Sequence, residues 1–130
     1  MKFSTRVEYG LRAISRLDGK QLECRSLRQI AKDENISLQY LERIFNILKK
    51  KGIVDAEKGA TGGYYLARKP KDISVLEVIE ALDGPINPFR CVSEKTACSV
   101  GCQVSPVWRQ LYGQMSRTLG GIRLSKLLKE

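Results

Sequence analysis

Histidine is absent from all 130 residues. Its absence removes the commonest general base, the imidazole half of mixed zinc sites, and the side chain that changes charge near neutral pH. There is also no Cys-x-x-Cys pair, and no carboxylate pair sits in an evident pocket motif, so no enzyme is expected. Long apolar runs are missing too. Lys2, Arg6, Glu8, Arg12 and Arg16 interrupt the first helix-length segment, which excludes a signal peptide or membrane span there and leads us to expect a cytoplasmic protein with no membrane partner. Aromatic residues make up only 7% of the chain, and none forms the stacking platform that single-stranded bases use, which counts against a general RNA-binding module. Cysteines number four. A chain of this length buries a core without covalent staples, and in a reducing compartment clustered thiols more often bind metal or sense redox change.

What the chain does have is positive charge, unevenly placed. Residues 1–70 hold 15 Lys or Arg against 8 Asp or Glu, a net of +7; residues 71–130 hold 8 against 6, a net of +2, and the sum is the formal +9. A basic half-chain suits a polyanionic partner, although a solvated basic surface with no partner has the same composition.

Periodicity gives the organisation. From Ser4 to Leu17, Val7, Leu11, Ile14 and Leu17 recur at helical spacing behind a Thr5/Glu8 capping-box pattern. A second helix starts at Ser26, with Gln29 three residues on and an inner face of Leu27, Ile30 and Ala31, and should stop near Asn35. Ser37 caps a third, QYLERIFNILKKK, with Leu41, Ile44, Phe45 and Leu48 as its stripe and Gly52 as its end. Two helices joined by so short a turn match a helix-turn-helix. The following IVDAEKGATGGYYLA reads as strand, glycine turn and strand, hence a wing. A phosphate-cradling loop would lead into a helix, whereas Tyr64, Tyr65 and Leu66 lead into a strand. Ser74 and Glu77 open a fourth helix ending at Gly84. Prolines 85 and 88 break the chain into a loop, and Ser105 and Pro106 start a last, long helix whose Val107, Trp108, Leu111, Tyr112, Met115 and Leu119 make a wide apolar face. Leu124, Leu127 and Leu128 form a final turn. A second copy of the protein, or the first helix of the same subunit, could cover the long helix; the two-fold dimer is the preferred expectation.

The loop contains Cys91, Cys98 and Cys102 at C-x6-C-x3-C spacing. Thiolates are soft donors suited to iron–sulfur clusters, zinc and copper(I). Three readings compete: a cluster, zinc, or free thiols in a redox switch with Arg90 and Lys95 nearby to lower a thiol pKa. Zinc is disfavoured because a closed structural site takes four protein ligands. A fourth ligand would be Cys24, a carboxylate, water or a small thiol, and Cys24 reads better as an ordinary buried cysteine.

On DNA, Lys2, Arg43, Lys49, Lys50, Lys51 and Lys58 are candidate phosphate contacts, though lysines also suit a helix C-terminus. Ser37, Gln39, Tyr40 and Glu42 occupy the first turns of the third helix, where base edges come within reach. The wing is expected to meet the minor groove through Lys58 and the backbone of Ala60 and Thr61.

Taken together, FSTRVEYGLRAI, ISLQYLERIFNILKKKGIV, KGATGGYYLA, ISVLEVIEALDG and a cysteine loop before Trp108 resemble the bacterial winged-helix regulators of the IscR/NsrR/CymR type, nearly end to end. The resemblance implies a homodimeric transcription factor on promoter DNA, a repressor in the preferred reading, with RNA polymerase an open partner. It implies an iron–sulfur cluster, 2Fe-2S in preference to 4Fe-4S, on Cys91, Cys98 and Cys102, reporting iron–sulfur status, redox state or nitric oxide. Glu8 matches a position from which some relatives supply a carboxylate to the opposite subunit's cluster; its other reading is the capping-box partner of Thr5. The family's usual gaps are about five residues each, and Ser105 stands where IscR-like members carry a histidine ligand. A cluster-free regulator of the same family, acting by thiol redox, zinc or a partner protein, is the alternative. The expected fold is mainly α with a small β-hairpin wing. Its expected parts are a winged helix-turn-helix DNA-binding domain over 1–84, a cluster-binding loop over 85–105, and a dimerisation helix with its C-terminal turn over 106–130.

Overall fold

In the computed structural model, which describes residues 3–17, 23–59, 62–86 and 103–128, the first four helices each begin at a serine. These are α1 (Thr5–Ile14), α2 (Leu27–Glu34), α3 (Leu38–Lys50) and α4 (Val75–Asp83). The hydroxyls of Ser4, Ser26, Ser37 and Ser74 accept from the backbone N–H of Val7, Gln29, Tyr40 and Glu77, at 3.3, 3.4, 3.2 and 3.1 Å. Each satisfies one of the amides a helix start leaves without an intrahelical partner. Three of these caps were legible in sequence. The first differs: Ser4 caps α1, not Thr5, because Ser4 also donates its hydroxyl to Asp83 at the end of α4, 2.6 Å away. A contact 79 residues distant fixes which of two adjacent hydroxyls closes the helix, and the Thr5/Glu8 capping box is not formed.

One core joins the elements. Val7, Ala13 and Ile14 from α1, Leu17 just after it, Leu27, Ile30 and Ala31 from α2, and Leu41, Ile44, Phe45 and Leu48 from α3 pack with Val75, Val78, Ile79 and Leu82 of α4. Leu11, expected on the buried stripe, is half-buried at its edge. Between α2 and α3 the chain turns at Asn35, φ 54° and ψ 48°, a left-handed conformation asparagine tolerates, and Ile36 drops into the core. Lys51 and then Gly52, at φ 76°, end α3.

β1 (Val54–Glu57) and β2 (Gly63–Leu66) pair antiparallel from Val54 opposite Leu66 to Glu57 opposite Gly63. Arg25 and Tyr64 exchange backbone hydrogen bonds of 2.9 Å each, so the chain entering α2 adds a third edge to this hairpin. Glycine at 63 is dictated by that approach: a Cβ there would collide with the Arg25 carbonyl. Phe45 meets Tyr64 edge-on, ring centroids 5.0 Å apart, and ties the wing to α3.

α5 (Ser105–Gly121) begins one residue earlier than its Ser-Pro start suggested: Val104 is the cap residue, without a side-chain cap, and Ser105 lies inside the first turn. Half-buried Tyr112, Met115 and Leu119 rest against the core, with α4 as the neighbouring helix. Val104, Val107 and Leu111 are 54, 55 and 38% exposed. After α5 the chain returns to the head, where Val75 donates to the Ile122 carbonyl and Leu124 to the Ile73 carbonyl. Leu124 is fully buried and Leu128 nearly so. No helix among the described residues is long and apolar enough to cross a membrane.

Candidate nucleic-acid interface

The amphipathic phase of α3 determines what it can offer a duplex. With Leu41, Ile44, Phe45 and Leu48 turned inward, Gln39, Glu42, Arg43, Asn46 and Lys50 fall at three- and four-residue spacing on the exposed side, and all five are exposed. An amide, a carboxylate and a guanidinium on one helical face are the groups that read base edges. Asn46 falls off the buried stripe in the sequence as well but is not among the DNA contacts expected from it; its signal is the seven-residue step from Gln39, which keeps it on the same face. Ser37 is exposed at the helix start, where its oxygen accepts from Tyr40 and its hydroxyl hydrogen remains free to donate.

Around this face the cations gather. Lys49 and Lys50 fill the last turn of α3, Lys51 follows, and Lys58 leads into the turn of the wing; all are exposed. A shallow cleft of about 440 Å³ lies between the start of α2, α3 and the wing, lined among others by Arg28, Leu38, Glu42, Asn46, Glu57 and Tyr64. Arg28 is a further exposed cation beside Glu42 and Asn46 that sequence reading passed over. Burial, and then the negative charge of Glu42, push the Tyr64 hydroxyl pKa up, so it remains a neutral donor.

Tyr40 differs from its neighbours in α3. It is half-buried, and its ring meets Tyr9 of α1 edge-on. Lys2, Ala60 and Thr61 lie outside the described residues.

The same is true of Cys91, Cys98 and Cys102. Of the remaining donors named from sequence, Glu8 is exposed on α1. Cys24 is half-buried and donates to the Glu57 carboxylate, Sγ to Oε2 3.2 Å. Partial burial, followed by Glu57, pushes the Cys24 thiol pKa up, so it stays protonated and a poor metal ligand. Among the described residues no group of three or more cysteine, aspartate or glutamate side chains could hold a metal ion. In the sequence, outside the described residues, Cys91, Cys98 and Cys102 are soft thiols, donors of the kind an iron–sulfur cluster takes.

The end of α4 carries a clasp. Asp83 accepts from the Ser4 backbone N–H at 3.2 Å, the Ser4 hydroxyl at 2.6 Å and the Arg6 guanidinium at 3.4 Å. The start of α1 is thus fastened to the end of α4, three residues before Ile86 closes the described part of the head.

Comparison with known proteins agrees with this geometry. The family model described as Rrf2, iron-dependent transcriptional regulator, matches residues 3–130. Protein rrf2 of Nitratidesulfovibrio vulgaris is 33% identical over 134 aligned positions, covering 100% of this chain and 89% of that protein. The HTH-type transcriptional regulator IscR of Xenorhabdus nematophila is 39% identical over 105 positions, covering 79% of this chain but only 63% of the relative. Among solved structures, CymR of B. subtilis, titled the global cysteine regulator, superposes with a TM-score of 0.82 at 30% identity, covering 98% of this chain and 95% of that one. IscR of T. potens gives 0.72 at 29%, covering 96% and 84%.

Proposed function

Because this chain belongs to the Rrf2 family of transcriptional regulators, and is therefore a DNA-binding regulator and not an enzyme, we propose that it is a cytoplasmic homodimeric repressor controlled by an iron–sulfur cluster. The exposed polar face of α3, flanked by lysines and backed by the wing, is the observation that carries the DNA-reading part. Gln39 would meet adenine and Glu42 cytosine, with Ser37 at the helix start. Arg43, Lys49, Lys50, Lys51, Lys58 and Lys2 would hold phosphates, and the backbone of Ala60 and Thr61 would follow the wing into the minor groove.

Cys91, Cys98 and Cys102 would hold the cluster, 2Fe-2S in preference to 4Fe-4S, with the partner subunit's Glu8 as the fourth donor. When bound, the cluster supplies iron that reacts with oxygen, nitric oxide or thiols. The chain's own part is to transmit the loop's state. Residues 85–105 carry the thiols and join the head, 1–84, at the Asp83 clasp on α1; on the other side they enter the dimerisation region, 106–130, whose Val107 and Leu111 would meet a second copy. A change in the loop can thereby alter how two heads are spaced on two half-sites.

The test is absorption together with iron, zinc and sulfide analysis on one oxygen-free sample. Brown protein with equal iron and sulfide, bleached by Cys91→Ala, Cys98→Ala or Cys102→Ala, is expected; colourless protein with stoichiometric zinc would remove the cluster. The alternative is a cluster-free regulator of the same family acting by thiol redox, zinc or a partner protein, kept because the chain is similar over 98% of its length to the structure named as a global cysteine regulator. Cluster-free protein with full operator affinity would select it.

A further inference from the structure

The turn between α2 and α3 is fastened to α1 on both of its sides. On the α2 side, Glu34 is the last residue of the helix and directly precedes Asn35. Its carboxylate accepts from Arg12 Nε at 3.2 Å, Arg12 Nη2 at 3.1 Å and Arg16 Nε at 2.7 Å. Arg12 Nη2 also donates to the Glu34 carbonyl at 2.8 Å. On the α3 side, the Tyr40 ring meets Tyr9 edge-on, centroids 5.8 Å apart at 85°. Arg12 joins the two sides, since its guanidinium also lies over the Tyr9 ring, 5.5 Å from the centroid. The Glu34 side chain is only 13% exposed, against 43 and 46% for Arg12 and Arg16.

An exposed ion pair on its own adds little stability. Two guanidiniums converging on one mostly covered carboxylate, with a ring pair on the same support, instead restrict orientation. Orientation matters for one kind of DNA binding and not the other. Random-sequence binding needs only cations near phosphates, whereas base reading needs the first turn of α3 to meet base edges within hydrogen-bonding tolerance.

We propose that Glu34 and Tyr40 are positioning residues for DNA reading: acting through Arg12, Arg16 and Tyr9, they set the first turn of α3 and so govern discrimination between sequences without touching a base. Arg12 and Arg16 are correspondingly not phosphate contacts. This deepens the DNA-reading role of α3 and rests on it.

The experiment measures affinity of the full-length protein for two duplexes of equal length, one selected by the wild-type protein from a random pool and one scrambled. Glu34→Gln and Tyr40→Leu are expected to weaken the selected duplex about tenfold while leaving the scrambled one, and the slope of log affinity against log salt, unchanged. Tyr9→Leu should match Tyr40→Leu, and the double variant should be no worse than either. Tyr40→Phe keeps the ring edge and should behave as wild type. Equal losses on both duplexes, or no loss on either, would overturn the proposal, as would loss of preference at one base pair in Tyr40→Phe, which would mark the hydroxyl as a base reader. Should Tyr40→Leu fail to fold, Glu34→Gln and Tyr40→Phe decide alone. A wild-type protein that selects no duplex refutes DNA reading by α3 itself, a result separate from any of these.

Discussion

α3 and α5 both carry apolar residues at helical spacing, yet the chain covers one and leaves much of the other open. In α3 Leu41, Phe45 and Leu48 are fully buried and Ile44 is 1% exposed; in α5 Ser105 is the one buried residue, and Val107 and Leu111 stay 55 and 38% exposed. Two structural differences accompany this. α3 is surrounded by α1, α2, α4 and β1, whereas among the described residues α5 packs chiefly on α4. α3 has a side-chain cap and α5 has none. Spacing alone reports that a face is apolar; it does not report which chain covers it.

The comparison can be broken most severely at Phe45. Phe45→Ala removes a fully buried ring that also holds the wing through Tyr64, and is expected to cost about 3–5 kcal/mol in denaturant unfolding. Leu111→Asp in α5 should leave the folded subunit nearly as stable and instead turn a dimer into a monomer, read by sedimentation at micromolar protein; a monomeric wild type would contradict the role given to α5. Ser37→Ala should cost about 1 kcal/mol, because the Tyr40 amide then loses its acceptor at the start of the reading helix.

The smallest effect is in acid. The hydrogen bond from Arg16 holds the Glu34 carboxyl below the ordinary carboxylate range, against the opposing effect of partial burial and with the support of Arg12. A carboxyl depressed on folding adds stability above its unfolded pKa and loses it as pH falls through its folded one. Wild-type protein should therefore lose some stability below the ordinary carboxylate range that Glu34→Gln has already lost at neutral pH. Urea midpoints of the two proteins are expected to converge on acidification; parallel curves would mean that Glu34 contributes nothing.

The same contrast separates what the sequence made legible from what it did not. The starts and ends of α2, α3 and α4 and the stripes of α2 and α3 were readable because serine caps and apolar spacing act within one turn. The hairpin was readable because Tyr64, Tyr65 and Leu66 follow the glycines. Long-range partners were not. Asp83 chose Ser4 over Thr5 as the first cap, Glu57 engaged Cys24, and the Tyr40 ring met Tyr9; none of these pairings leaves a local pattern. The exposed residues of α3 could be placed on one face by phase alone, which also brings in Asn46, but Arg28 joins them only through the packing of α2 against α3.

The most direct measurement is affinity for a selected duplex in the absence of oxygen, with Cys91, Cys98 and Cys102 intact or all replaced by alanine. The two proteins, equally folded and equally dimeric, are expected to differ in affinity for the selected duplex by about tenfold or more. Identical affinities would contradict control of DNA reading by the cysteine segment.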